Sequence, residues 1–363
     1  MNSRPQTEPP LVAVTPYGDS GASARVRIYG WLRHLGIASD VHSFLGAASS
    51  SFRELRADPH VLVRAQVDLH KLAREHHERL LLHREASPLS RGRLEAKLLS
   101  SSSYSVLDLD DALAWDVRPS SDPVSLFPKP TKIARAAAAA DTIVVGSPSL
   151  LEWATTVAEE VSYIPSCVDM TDYPPKTSYE LTRPPLLGWI GSPSTEVLLE
   201  RISGDLLQLH RLSGARLRVI SGPPRSLGPL DAMVDRIQWT TQTAHQYLAE
   251  SDIAIAPMGD SAFLRGKCAY KILQYGASRL PIVGSPVGAN ADALALLGAS
   301  TVDAGDSWTE TVMDMINAPA SERQRMGEIS NQAVLAHYSY TAWQDEWKRV
   351  MHITDADLLA PPS

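Results

Sequence analysis

Two lysines four positions apart, Lys267 and Lys271, stand out in this 363-residue sequence as candidates for chemistry. They follow a short apolar run, Ile253–Ala256, which predicts a β-strand that ends at Pro257. A short helix over the lysines would carry both on one face at the carboxyl end of that strand, where open α/β sheets bind ligands. The two cations could then hold a diphosphate. A solvated surface helix with two ordinary lysines is the alternative interpretation.

A second candidate anion site is the loop at 191–195, which follows another apolar run. Ser192 suits the cap of a following helix, and Pro193 suits its first position because proline has no N–H to leave unpaired. The amides of Ser194 and Thr195 would then point out of a helix N-terminus, where anions bind. The alternative is a plain capped helix without a ligand.

Three acidic residues, Asp108, Asp110 and Asp111, lie at the end of an apolar run at 105–107 that predicts a strand. Carboxylates in such a place could bind a divalent cation, orient a substrate hydroxyl or act as a base. Asp111 could instead cap the next helix. A histidine-rich stretch at 70–83 lacks the His-Glu-x-x-His spacing of zinc sites and is interpreted as a solvated helix face.

Composition narrows the possible classes of protein. A 44% hydrophobic content is enough for two domain cores, and a net charge of −7 argues against a nucleic-acid binder. The sequence contains no apolar run of about 20 residues, and the polar N-terminus lacks a signal-peptide pattern, so we expect a cytoplasmic protein without a transmembrane segment. Cys167 and Cys268 are too few for a disulfide framework and are expected to be buried thiols. The oligomeric state stays open.

The segment 253–290 resembles the donor-binding core of retaining GT-B glycosyltransferases, the GT4 or "group 1" family. There a strand ending in proline, a Gly-Lys-x-x-x-Lys helix and a second strand hold the sugar nucleotide. The matching residues here are Pro257, Gly266, Lys267, Lys271 and 280–283. Gly266 and Gln274 occupy the positions of the family's two glutamates. Gln274 can still form a hydrogen bond with a ribose hydroxyl. The usual glycine after the helix is Arg279, which is unfavourable where φ must be positive.

The resemblance extends to three other places: the string at 188–195, the acidic segment at 108–111, and the loop at 18–27 with its arginines Arg25 and Arg27. It implies a catalytic group, donor contacts, and residues that contact the acceptor or line the cleft. The catalytic group is Asp108, Asp110, Lys267 and Lys271. The donor contacts are Gly21, Gly191, Ser192, Ser194, Thr195 and Gln274, together with both lysines. The acceptor and cleft residues are Asp19, Ser20, Arg25 and Asp111.

The implied function is transfer of a sugar from a nucleotide-sugar donor, expected to be a UDP-sugar, to a hydroxyl acceptor with retention of anomeric configuration. The acceptor would be a small molecule or a glycan, in natural-product or glycan biosynthesis, and neither a metal ion nor a cofactor would be required. Two alternatives stay open: a GT-B sugar-nucleotide epimerase, and a sugar-nucleotide-binding protein without turnover. Donor hydrolysis and product analysis would separate the three.

The predicted fold is α/β, with two Rossmann-like doubly wound domains facing a cleft and a C-terminal helix that crosses back to the first domain. The predicted boundaries are a disordered lead-in at 1–10, an acceptor domain at 11–171, a proline-rich linker at 172–185, a nucleotide-sugar domain at 186–340, and the crossover helix and tail at 341–363. Trp343 and Trp347 are expected to anchor the crossover helix. Within the first domain, we expect a strand at 61–63 and a helix at 68–84.

Overall fold

The computed structural model describes residues 11–44, 46, 59–117 and 123–358, so the predicted lead-in at 1–10 lies outside the described residues. The chain divides into two compact units. Unit 1 contains the chain up to Ser166 together with Gly266–Cys268 and Trp343–Ser363, and unit 2 contains Cys167–Arg265 and Ala269–Ala342. Each unit is built on one six-stranded parallel sheet.

The sheet of unit 1 has the strand order β2-β1-β3-β4-β5-β6. Its strands are β1 (Leu11–Thr15), β2 (Ser39–Ser43), β3 (His77–His83), β4 (Ser102–Leu109), β5 (Thr142–Val145) and β6 (Val161–Tyr163). Its helices are α1 (Ala22–Ala24), α2 (Gly30–Leu35), α3 (Pro59–Leu72), α4 (Arg93–Ser100), α5 (Lys129–Ala137) and α6 (Pro148–Ala154). A π-helical turn, Arg25–Tyr29, joins α1 to α2.

Two predicted elements of unit 1 are wrong. Residues 61–63 lie in α3 rather than in a strand, and Val63 there is 64% exposed. Residues 68–84 do not form one helix, because the chain leaves α3 at Leu72 and then forms β3. The apolar part of β3, residues 80–82, is buried throughout as expected of a central parallel strand, so it lacks the alternation that marks a half-buried strand.

The sheet of unit 2 has the strand order β12-β11-β10-β7-β8-β9. Its strands are β7 (Leu186–Ile190), β8 (Arg216–Ser221), β9 (Val234–Gln238), β10 (Ile253–Ala256), β11 (Ile282–Gly284) and β12 (Ser300–Thr301). Its helices are α7 (Val197–Arg201), α8 (Ser203–Ser213), α9 (Ala244–Ala249), α10 (Ala262–Arg265), α11 (Tyr270–Ala277), α12 (Ala289–Leu296), α13 (Trp308–Asn317) and α14 (Ala320–Tyr338). Within the described ranges, no helix is long and apolar enough to cross a bilayer.

The proline-rich segment at 172–185 packs within unit 2. Lys176 is buried, and its Nζ donates to the Ser251 carbonyl at 2.8 Å. The Tyr179 hydroxyl donates to the Arg279 carbonyl at 2.9 Å, while the Tyr179 carbonyl accepts from the Arg323 guanidinium. These bonds attach the segment to the turn before β10, to the turn after α11 and to α14.

The final helix, α15 (Tyr340–Val350), begins in unit 2, and its part from Trp343 onward belongs to unit 1. Trp347 stacks on Trp31 with ring centroids 5.4 Å apart, and Trp343 meets Tyr163 edge to face at 5.8 Å. The two tryptophans therefore anchor the crossover helix, as the sequence predicted. Aromatic pairs of this kind add about 1 kcal/mol beyond the area they bury.

We expect Trp347→Ala to lower the free energy of unfolding of unit 1 by about 3–5 kcal/mol, because it removes a buried indole and leaves a cavity. Urea unfolding followed by circular dichroism measures the change. The half-buried Trp343 provides the control, since Trp343→Ala should lower the unfolding midpoint by much less. Equal midpoints for the two variants would show that α15 is not held by the Trp31 stack.

Candidate functional site

The acidic residues lie at the carboxyl-end edge of the unit 1 sheet. Strand β3 ends at His83 and β4 ends at Leu109, in parallel and side by side. The chain continues from these ends into Arg84 on one side and into Asp110 and Asp111 on the other. This edge of an open α/β sheet is where ligands bind.

Asp108 is the centre of a buried ion cluster. The Arg27 guanidinium, from the π-helical turn, contacts both of its carboxylate oxygens, with Nε 3.1 Å from Oδ1. His83 Nδ1 lies 2.7 Å from Asp108 Oδ2. Arg27 Nη1 also donates to the carbonyls of Ile164 and Pro165. Both carboxylate oxygens of Asp108 therefore have buried protein partners, and its catalytic role stays a prediction.

Burial alone would raise the pKa of Asp108, but the Arg27 guanidinium and the His83 ring beside it outweigh burial and hold the pKa below its ordinary value. The same balance applies to Asp110, where burial is opposed chiefly by Arg84 and the pKa is held well below the ordinary range. The carboxylates of this cluster are therefore ionised at neutral pH.

Asp110 and Asp111 form ion pairs with basic side chains at the outer side of the cluster. Arg84 Nε donates to Asp110 Oδ1 at 2.5 Å, and Arg84 Nη2 lies 3.3 Å from Asp111 Oδ2. Lys267 Nζ donates to Asp111 Oδ1 at 3.0 Å. The backbone of Arg84 has a φ of 60°, a left-handed conformation that costs a non-glycine residue roughly 1 kcal/mol or more. Such strain is common where side chains are held for function.

The prediction of two lysines on one helix face is wrong. Helix α11 begins at Tyr270, so Lys271 lies in its first turn, whereas Lys267 precedes the helix and belongs to unit 1. Ala269 has a left-handed φ of 50°, which a right-handed helix does not accommodate. The helix therefore cannot extend from Tyr270 toward Lys267. Arg279, which replaces the glycine usual in the GT4 family, has a positive φ of 59°. This is the unfavourable conformation that the sequence comparison indicated for a non-glycine residue.

Lys271 lies beside the carboxyl end of β7 in unit 2. Its Nζ is 3.3 Å from Thr195 Oγ1 and 5.2 Å from the centroid of the buried Trp189 ring. A Cβ at Gly191 would lie 2.5 Å from the Trp189 ring and 2.7 Å from Lys271 Cε. Any larger residue at position 191 would clash with the Trp189 ring and the Lys271 side chain, so glycine is required there.

The loop at 191–195 forms a short 3₁₀ turn, Pro193–Thr195, rather than the start of a long helix. The Ser192 hydroxyl lies 3.0 Å from the Ser194 hydroxyl, and the Thr195 amide donates to the Ser192 carbonyl at 2.9 Å. The predicted free amide at Thr195 is therefore wrong. What the turn offers to a ligand is a set of hydroxyls, those of Ser192, Ser194 and Thr195.

The remaining predicted site residues are dispersed. Gln274 is buried in α11 inside unit 2. Asp19 is exposed and pairs with Arg33 at 3.2 Å, and the Ser20 carbonyl accepts from Arg25 Nη1 at 3.4 Å. The Gly21 amide donates to the Gly18 carbonyl, so this loop is closed by its own backbone. A ribose contact of Gln274 and acceptor contacts of the loop stay predictions.

Sequence reasoning missed His83 and Ser23. His83 was grouped with a histidine-rich helix face, but it is the last residue of β3 and is fully buried. Ser23 follows the 18–21 loop, and its hydroxyl lies between His83 and Asp110. The apolar run at 80–82 directly before His83 was the available signal. Among the described residues, no group of three or more His, Cys, Asp or Glu side chains could hold a metal ion.

No protein-family model matches the sequence, and no curated protein matches it. Solved structures do resemble it. HepE of Anabaena in complex with UDP and glucose superposes with a TM-score of 0.68 at 10% identity, over 96% of this chain and 100% of that one. Sucrose-phosphate synthase from Thermosynechococcus elongatus superposes with a TM-score of 0.64 at 14% identity, over 95% of this chain and 100% of that one. The α,α-trehalose 6-phosphate synthase from Burkholderia multivorans superposes with a TM-score of 0.61 at 12% identity, over 95% of this chain and 97% of that one. The chain has the GT-B fold, and the predicted fold class is confirmed.

We expect Asp108→Asn to lower the free energy of unfolding of unit 1 by about 3–5 kcal/mol at neutral pH, because Arg27 would lose its buried counter-charge. A carboxylate with a lowered folded pKa stabilises the protein above the unfolded pKa of about 3.9, and this stability is lost as the pH falls through the folded pKa. The difference between wild type and variant should therefore shrink in acid. Urea titrations between pH 7 and pH 3 measure it.

The control for this measurement is Asp68→Asn on α3. Asp68 is exposed and pairs with Lys71 at 3.1 Å, and exposed pairs contribute little. Its unfolding midpoint should match that of the wild type at every pH. A pH-independent loss in Asp108→Asn would mean that the carboxylate charge is not what stabilises the cluster.

Proposed function

We propose that this protein is a glycosyltransferase that moves a sugar from a UDP-sugar to a hydroxyl acceptor. The observation that carries the proposal is Lys271, held at the carboxyl-end edge of the unit 2 sheet together with the hydroxyls of the 191–195 turn. In a GT-B fold, an ammonium group and several hydroxyls at this edge are suited to a nucleotide diphosphate. HepE, which has the same fold, was solved with UDP and glucose, so UDP-glucose is the first donor to test.

Lys271 stabilises the leaving diphosphate in this proposal. As the bond between the anomeric carbon and the diphosphate oxygen breaks, negative charge develops on that oxygen, and a fixed cation lowers the energy of the transition state. The Trp189 ring, whose centroid lies 5.2 Å from Nζ, attracts the ammonium group. The proximity of Gly191 allows the lysine to lie flat against the loop.

Lys267 has a different task, because it is paired with Asp111 in unit 1. We assign it to fixing the acidic segment after β4 rather than to binding the diphosphate. Asp110 and Asp111 then form the outer wall of the acceptor site, and Asp108 supports them from inside. This division separates the four residues that the sequence grouped as catalytic.

The finer features of the proposal rest on the resemblance of 253–290 to GT4 glycosyltransferases. They are retention of the anomeric configuration, independence of metal ions and cofactors, and a small-molecule or glycan acceptor. Product analysis by NMR distinguishes the proposal from its alternatives. Transfer gives a glycoside and UDP, an epimerase gives a changed sugar ring, and a binding protein gives no product.

Lys271→Ala should lower the rate of UDP release from UDP-glucose by about 10²-fold or more, because it removes a charge contact that strengthens in the transition state. It should also weaken UDP binding, measured by isothermal titration calorimetry. Arg211→Ala, an exposed cation on α8 outside the proposed site, is the matched control and should leave both quantities unchanged. Wild-type turnover in Lys271→Ala would place the diphosphate elsewhere.

Lys267→Ala gives a separate prediction. Because Lys267 contacts Asp111 in unit 1, its loss should reduce turnover and leave the affinity for UDP unchanged. Titration calorimetry with UDP and a UDP-release assay report the two quantities independently. A loss of UDP affinity equal to that of Lys271→Ala would instead restore the predicted lysine pair.

A further inference from the structure

Three helices of unit 1, α3, α4 and α5, cover one face of its sheet. Their buried side chains belong to a single hydrophobic core, in which Leu69, Leu98 and Ile133 pack with alternate residues of β3 and β4. The exposed side chains of the three helices therefore form the outer surface of one layer. We call this outer surface, together with the loop residues Arg91 and Leu126, the helical face.

Direct contacts join the parts of the helical face. The Ser87 hydroxyl, in the loop before α4, donates to Gln66 Oε1 of α3 at 2.8 Å. Arg91 Nε donates to the Leu126 carbonyl at 2.9 Å, and Arg135 Nη1 of α5 donates to the Arg91 carbonyl at 2.7 Å. The helices and the loops between them thus present one continuous surface.

The charge of the helical face is opposite to that of the whole chain, which carries a net charge of −7. Asp68 is the one exposed acidic side chain described on this face, and it pairs with Lys71 at 3.1 Å and with Arg64 at 3.8 Å. Glu95 of α4 is buried and accepts from the Ser90 hydroxyl. The exposed cations of the face are Arg64, Lys71, Arg91, Arg93, Lys97 and Arg135. Cations therefore far outnumber carboxylates on this surface.

Apolar side chains are exposed among these cations. Val61, Val63 and Val67 of α3 are 47%, 64% and 46% exposed, and Leu126 is 61% exposed. They are four of the eleven large apolar side chains that are exposed in the described parts of the chain, so much of the exposed apolar surface lies on the basic face. Val63 and Val67 are four positions apart and are neighbours on the helix surface.

A surface that combines cations with exposed apolar side chains matches the boundary of a bilayer that contains anionic lipids. Lipid phosphates attract the guanidinium and ammonium groups, and apolar side chains can enter the layer between headgroups and acyl chains. A nucleic acid offers phosphates to the cations but no apolar phase to the valines. The combination of charge and apolar surface therefore favours a bilayer over a nucleic acid.

We propose that the helical face docks unit 1 onto the surface of a bilayer that contains anionic phospholipids. Arg93 and Lys97, one turn apart on α4, pair with lipid phosphates together with Arg135, while Val63 and Val67 enter the interface. The protein then lies on the bilayer without spanning it, and no helix in the described ranges is long and apolar enough to span one. This inference does not rest on the proposed glycosyl transfer.

Sedimentation with lipid vesicles tests the docking directly. Vesicles of phosphatidylcholine and phosphatidylglycerol in equal parts should carry the wild-type chain into the pellet, whereas vesicles of phosphatidylcholine alone should not. Raising the salt from about 0.1 M to about 1 M shortens the Debye length from about 10 Å to about 3 Å and should release most of the bound protein. A chain that stays in the supernatant with the anionic vesicles at low salt overturns the proposal.

The double variant Arg93→Gln, Lys97→Gln removes two exposed cations of α4. A cation close to an anionic bilayer contributes about fivefold in affinity, so this variant should bind the anionic vesicles about 25-fold more weakly than the wild type. Arg93→Lys with Lys97→Arg keeps both charges and should bind as the wild type does. Arg183→Gln with Arg211→Gln removes two exposed cations of unit 2 and should also leave binding unchanged. Equal weakening by the two charge-removing variants would reduce the effect to net charge and overturn the helical face as the docking surface.

The double variant Val63→Ser, Val67→Ser distinguishes a bilayer from other anionic partners. It should bind the anionic vesicles roughly 10-fold more weakly, because less apolar surface is buried, while its affinity for heparin, a soluble polyanion, stays as in the wild type. Vesicle binding that this variant leaves intact would mean that charge alone is recognised, as by a nucleic acid or an acidic protein, and would overturn the bilayer as the occupant. No nucleotide sugar is present in these measurements, so their outcome is independent of UDP release from UDP-glucose.

Discussion

The buried ion pair between Arg27 and Asp108 is the interaction on which the edge of unit 1 depends. It joins the π-helical turn after β1 to the end of β4, and the same guanidinium holds the carbonyls of Ile164 and Pro165 after β6. Removing charges from water is costly, and the pair is stable because every face of the guanidinium has a partner. One side chain thereby fixes three segments at the edge where a ligand would bind.

This pair also determines what the neighbouring residues can do. Asp108 orients His83, and the cations Arg27, Arg84 and Lys267 face the three carboxylates of the acidic segment. Charges that are matched in this way stay ionised and fixed, so they shape the site without exchanging protons. His83 and the Ser23 hydroxyl lie beside these carboxylates, and a search for acidic residues alone passes over both.

Much of the fold could be predicted from the sequence because its signals were local and redundant. The strands around 253–256 and 282–284, the crossover helix and its two tryptophans each showed an apolar or aromatic pattern of the right length. Strand β3 could not be recognised, since His77 and its charged neighbours precede a fully buried run and the alternation that marks a strand is missing.

The site was predicted less well than the fold, for reasons of backbone conformation. A helix through both lysines was the natural interpretation of Lys-x-x-x-Lys, and nothing in the composition of the segment indicates that Ala269 adopts a left-handed φ. Side-chain pairing across 156 residues, as between Lys267 and Asp111, is likewise set by topology rather than by local sequence. Residue types at the edge could be predicted, but their partners could not.

Arg279 shows how the chain tolerates a residue that its backbone disfavours. A positive φ costs a non-glycine side chain roughly 1 kcal/mol, so the turn after α11 needs support from elsewhere. That support comes from the proline-rich segment: Tyr179 donates its hydroxyl to the Arg279 carbonyl, and Arg323 on α14 holds the Tyr179 carbonyl in turn. The turn leads directly into β11, beside the helix that carries Lys271. The segment predicted to be a linker therefore supports the strained turn that follows the helix carrying Lys271.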